Sequence, residues 1–106
     1  MLIVSTLPSI AVEFSYRRNV TLSVGKSVIL KGVRGVDCSD RAPTWSHIAG
    51  GLPKSQTGTF SDGGAGTVLS NSCGKSVGAR GVKFTAKSKG TENFTVYEDT
   101  INVTVE

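Results

Sequence analysis

The sequence predicts an all-β protein: two antiparallel sheets of about seven to nine strands facing each other across one core. Three observations predict it. Near the C-terminus, Phe94 and Val96 alternate with Thr95 and Tyr97, and Ile101, Val103 and Val105 alternate with Asn102 and Thr104. That is the period of a half-buried antiparallel hairpin. Residues 20–32, VTLSVGKSVILKG, carry two further alternating runs broken at Gly25-Lys26. Finally, Ser, Thr and β-branched residues dominate a chain with a single Met and few Leu, poor material for helices.

The chain has 106 residues, 38% of them hydrophobic, with 13 glycines. This suits one globular domain, residues 11–106, preceded by an apolar arm or edge strand over residues 1–10. The start, MLIVSTLPSIAVEF, lacks a basic residue ahead of its apolar run, and Pro8 interrupts that run. It reads as a chain made in the cytoplasm, or as a mature fragment, rather than as a signal peptide. Leu2, Ile3, Val4 and Leu7 would leave an exposed apolar patch if free, so the arm is expected to dock on its own domain or on a neighbouring subunit.

Along the chain, Val12, Phe14 and Tyr16 share one face of a short strand candidate, residues 11–16. In residues 20–32 a tight hairpin at Gly25-Lys26 would place Leu22 opposite Ile29 and divide apolar side chains between both faces. A crossing at Gly25 from one sheet to the other sends both apolar sets into a shared interior. The middle, residues 33–81, is rich in glycine, with strand candidates at 43–48, 58–60 and 67–69. The closing hairpin with Glu98-Asp99 as its two-residue connection pairs Val96 with Ile101 and Phe94 with Val103. Its polar face then carries Asn93 with Thr104, Thr95 with Asn102 and Tyr97 with Thr100.

The opening run Val20, Leu22, Gly25, Ser27, Val28, Leu30 resembles the start of immunoglobulin-like domains. GVKFTAKSKGTENFTV, at the other end, is similar to the closing strands of bacterial and phage Ig-like or cadherin-like modules. The family's cysteine would fall at Gly32, and the Cys38, Trp45, Cys73 spacing departs from the antibody framework. The resemblance implies an Ig-like sandwich with adhesive or structural work. Virion proteins are made without a signal peptide and displayed outside. The expected role is therefore a phage virion decoration or accessory protein docked on a capsid, tail or surface subunit, with a homo-oligomer possible. An extracellular or periplasmic bacterial Ig-like adhesion or ligand-binding domain is the alternative.

The chemistry-bearing residues are sparse. Cys38 and Cys73 are compatible with one disulfide, which would stabilise the fold by about 4 kcal/mol through loop closure, or with two thiols, depending on compartment. His47 is the single histidine. A hydrolase would need it as base beside Ser46, with Asp37, Asp40 or Asp62 as orienter, yet no G-x-S-x-G elbow is present. No catalytic residue and no cofactor are expected. Asp37, Asp40 and Asp62 fit no calcium-loop spacing, so no metal site is expected either. Asn19, Asn93 and Asn102 begin N-x-Thr sequons and read as solvated strand residues, since alternation alone produces that pattern. Trp45 reads as a core tryptophan on a central strand, and Phe60 is the other large residue of the middle.

Net charge is +4, from 12 Lys and Arg against 8 Asp and Glu. Lys75, Arg80, Lys83, Lys87 and Lys89 form a loose basic concentration that reads as a solvated strand face. Few aromatics interleave with it, so nucleic acid is not an expected partner. No apolar run approaches the roughly 20 residues of a membrane span, so no insertion is expected.

Overall fold

The computed structural model describes residues 12–106. The arm at Leu2, Ile3, Val4 and Leu7 lies outside them. Six strands and one short helix follow in the order β1 (Asn19–Leu22), β2 (Ser27–Arg34), α1 (Trp45–Ala49), β3 (Gly58–Ser70), β4 (Lys75–Ala86), β5 (Gly90–Val96) and β6 (Asp99–Val105). They make two three-stranded sheets, ordered β1-β6-β5 and β2-β4-β3. The count of seven to nine strands is thus corrected to six among the described residues. Two predicted strands, 58–60 and 67–69, are parts of the single thirteen-residue β3, which bends at a bulge between Asp62 and Ala65. A third candidate, 43–48, is not a strand at all.

The sheets share one apolar core. Leu30, Val82, Phe84 and Ala86 come from one, Val20, Phe94, Val96, Ile101, Val103 and Val105 from the other. Phe60, Phe84 and Phe94 meet across the middle, ring centroids 5.4–5.9 Å apart and tilted or edge-on, the preferred geometry for aromatic pairs. The crossing at Gly25 is observed: β1 and β2 belong to different sheets, Gly25 has φ +90°, and its N–H donates to Ala86 O at 2.8 Å. Glycine populates that φ without penalty.

One pairing departs from the antiparallel expectation. β1 runs parallel to β6, Asn19 beside Asn102 through Leu22 beside Val105, because the strand enters this sheet after crossing over from the other one. The closing hairpin keeps its predicted faces but shifts its register by two residues. Phe94 pairs with Ile101 and Val96 with Asp99, so the turn is Tyr97-Glu98, both with positive φ (44° and 76°). Such a turn matches the right-handed twist of its flanking strands, which favours it despite two side chains in the left-handed region. The shift is even, so Asn93, Thr95, Thr100, Asn102 and Thr104 still share the polar face.

Residues 45–49 turn helical behind the cap Thr44. Its Oγ1 accepts from His47 N at 3.3 Å, and only Ile48 is buried. Trp45 therefore sits half-buried on α1, against the edge of the core, and not on a central strand.

Before β1, residues 12–17 form a strap across the outer face of β2-β4-β3. Glu13 makes a single parallel bridge with Thr67, in place of the predicted strand. Phe14 N donates to Thr67 O and Thr67 N to Val12 O, each at 2.8 Å; then Arg17 N donates to Leu30 O of β2 at 3.0 Å. The Phe14 ring lies on a glycine floor, one residue from each strand. A Cβ at Gly32 or Gly66 would stand 2.6 Å from the ring, and one at Gly81, 2.8 Å.

Candidate functional site

A cleft of about 870 Å³ runs along the end of β2. Its floor is Lys31 to Arg34 of β2, continued by Gly35 and Val36 of the following loop. One wall carries Phe14, Tyr16 and Val68–Ser72; the other carries Ile48 of α1 and the Tyr97–Asp99 turn. β2 is an end strand of its sheet, so beyond the bond from Arg17 to Leu30 its outer edge has no partner strand among the described residues. Unpaired edge N–H and C=O groups are a template for another extended segment.

The rim is apolar. Of the five large hydrophobic residues left exposed among those described, Tyr16 (42%), Val36 (97%) and Leu69 (67%) line this cleft. Val12 adjoins it through the strap, and Val24 is elsewhere. Apolar side chains gathered around one concavity mark an interaction surface more than single scattered ones do.

The cleft's charge is organised by Lys31. This side chain is buried, and its ammonium donates to Val96 O at 3.2 Å, Tyr97 O at 3.0 Å and Asp99 Oδ2 at 2.7 Å. Three N–H donors meet three acceptors. Lys31 is therefore a clamp that ties β2 to the β5–β6 turn and selects the Tyr97-Glu98 connection. Tyr97 OH adds a bond to Ile48 O at 2.7 Å, and Tyr16 OH donates to Thr100 O. Arg34 closes the other end, Nη1 to Gly35 O at 3.0 Å and Nη2 to Ser72 Oγ at 3.1 Å.

The residues singled out from sequence scatter. His47 lines the cleft, but Asp37, Asp40 and Asp62 do not. Asp62 pairs with Arg80, Nη1 to Oδ1 at 3.2 Å, while Arg80 Nε donates to Pro43 O, which removes Arg80 from any free basic face. Ser46 Oγ is shared with Thr44 Oγ1 at 3.2 Å. Asp37 accepts from Ser39, and those bonds hold its carboxyl below the ordinary value of 3.8. Among the described residues no group of three or more His, Cys, Asp or Glu could hold a metal ion, and no helix is long and apolar enough to cross a membrane.

Cys38 and Cys73 are bonded, S–S 2.10 Å, joining the loop after β2 to the turn between β3 and β4. Neither lines the cleft, but Ser72, next to Cys73, does and accepts from Arg34. Asn19, Asn93 and Asn102 stand side by side in one row across β1-β6-β5; Asn93 Nδ2 donates to Asn102 Oδ1, and Asn102 Nδ2 to Asn19 Oδ1 at 3.1 Å.

Sequence reasoning missed Lys31 and Glu92. Glu92 Oε1 accepts from Gln56 N at 2.6 Å, Thr57 N and Ser55 Oγ, pinning the loop before β3. A charged residue inside an apolar run is the available signal for Lys31, placed between Leu30 and Val33. Glu92 carries no such signal, because its partners lie more than thirty positions away.

No family model, curated protein or solved structure matches the chain.

Proposed function

We propose that this chain is a non-enzymatic interaction module that docks on a larger protein assembly through the β2 cleft. The observation that carries the reading is the coincidence of an unpaired strand edge with the apolar rim Tyr16, Val36 and Leu69. Backbone edge groups supply affinity to an extended segment and flanking pockets supply selectivity. Within this reading the two sheets are an Ig-like sandwich. The setting is a phage virion, where the module decorates a capsid, tail or surface subunit, and fold alone does not establish that setting.

Site-specific photo-cross-linking tests it. A cross-linker at Leu69 should capture one defined subunit in the protein's own source, while the same group at Val24, also exposed, should not. Equal capture from both positions, or none from Leu69, would sink the docking reading.

The Cys38–Cys73 bond favours a second setting, an extracytoplasmic adhesion or ligand-binding domain, since disulfides persist in oxidising compartments. Thiol titration of the denatured protein taken from its native compartment separates the two. Two free thiols there remove the second setting.

A further inference from the structure

The cleft reading names a surface but not what first occupies it. We infer that the occupant is the apolar arm, Leu2 to Leu7, of a second copy of this chain, exchanged reciprocally around a two-fold axis. The inference rests on the docking role assigned to the cleft above, and it goes further by naming the partner.

Three observations carry it. The first is chemical match. Residues 1–12 contain no Asp, Glu, Lys or Arg in a chain that is 19% charged. Leu2 and Val4 would point to one side of an extended segment, Ile3 and Leu7 to the other. A strand apolar on both sides is unsuited to a solvated sheet edge but suited to a slot with two apolar walls. The cleft offers apolar side chains on both walls, Phe14, Tyr16 and Leu69 on one and Tyr97 on the other, among polar neighbours such as Asn71 and Glu98.

The second is length. The floor from Lys31 to Val36 is six residues long, as is Leu2 to Leu7. The eleven residues ahead of Val12 span at most about 36 Å when extended, enough to cross to a neighbour.

The third is direction. At the Glu13–Thr67 bridge the strap runs parallel to β3. From Phe14 back to Val12 the strap therefore runs towards the Gly58 end of β3, whereas the cleft wall, Val68–Ser72, lies at the opposite end. Entry into its own cleft requires the arm to reverse; entry into a neighbour's does not. Reciprocal exchange satisfies both arms and both clefts, giving a closed dimer rather than an open fibre.

Complementation between two variants tests this. One lacks residues 2–10 and keeps its cleft. The other, V36K/L69K, keeps its arm and changes only exposed rim positions. Light scattering should give the full chain twice the chain mass and each variant the single-chain mass. An equimolar mixture of the variants should regain a two-chain species, because one supplies an arm and the other a cleft. A full chain of single-chain mass overturns the inference, as does a dimer that persists in V36K/L69K, or a mixture that stays unpaired. The outcome is independent of the docking reading: cross-links from Leu69 to a foreign subunit with a monomeric full chain would retain the cleft's role and remove the arm as its occupant.

Discussion

Lys31 shows how one buried charge can choose between two hairpins. Its ammonium has three acceptors only when Val96 pairs with Asp99 and the carbonyls of Val96 and Tyr97 face β2. K31M keeps the stem and removes the donors, leaving two carbonyls without them, so the expected loss is about 1–3 kcal/mol in urea denaturation. D99N should cost less than about 1 kcal/mol, because Asp99 is 40% exposed and water replaces the pair. Equal losses would show that the ion pair, not the carbonyl clamp, matters. Gly81 offers a second test. G81A places a methyl group against Phe14 and should cost about 1–3 kcal/mol. With F14A in the same chain the penalty should shrink to what the Gly63 carbonyl oxygen, 3.1 Å from that methyl, imposes, a coupling read by a double-mutant cycle. Asp37 contributes at acid pH. Its folded-state affinity for protons is lowered by Ser39, so its stabilisation is present above the unfolded value near 3.8 and is lost as pH falls through the lower folded value. A stability profile of D37N should be flatter than the parent's in that window alone.

At the scale of elements, alternation carried most of the legible information. It placed β1, β2, β5 and β6, and the core faces of β5 and β6, because a period of two survives any even change of register; in β2 the shift between Ile29 and Lys31 brings both Leu30 and Val33 to the core. It could not choose the turn. That choice depends on Lys31, more than sixty positions from the turn it clamps, and no local pattern encodes such a partner. The left-handed Tyr97-Glu98 turn should respond to E98G, which relieves backbone strain at φ 76° and should raise stability by about 1 kcal/mol in thermal denaturation. A fall would mean that the Glu98 side chain contributes contacts of its own. Helix α1 was missed for the opposite reason. Its signal was local, Thr44 ahead of Trp45, but five residues make too short a helix for periodicity to register.

For the whole molecule, the disulfide joins positions 35 apart, and loop closure of that length is worth about 4 kcal/mol in the chain-entropy model. C38S/C73S should lose about that much in denaturant titration, while the bonds from Gly78 N to Ser39 O and from Arg80 Nε to Pro43 O still hold the loop on β4. A loss below about 1 kcal/mol would mean that the unfolded chain is already constrained there. The cleft itself was only half legible. Both cysteines and the arm stood out in the sequence, but the rim did not, since Tyr16, Val36 and Leu69 converge from three separate segments.

The β1-β6-β5 sheet has a consequence for how the protein is made. Its middle strand is the last of the six in chain order, and Asn19 waits 83 positions for Asn102. During synthesis β1 and β5 emerge from the ribosome as two outer strands with nothing between them, while the inner face of β2-β4-β3 stands uncovered. That half of the domain can close only after β6 has cleared the exit tunnel. A nascent chain stalled before Asp99 should consequently be a substrate for chaperones, with Phe84 and Phe94 as the exposed handles.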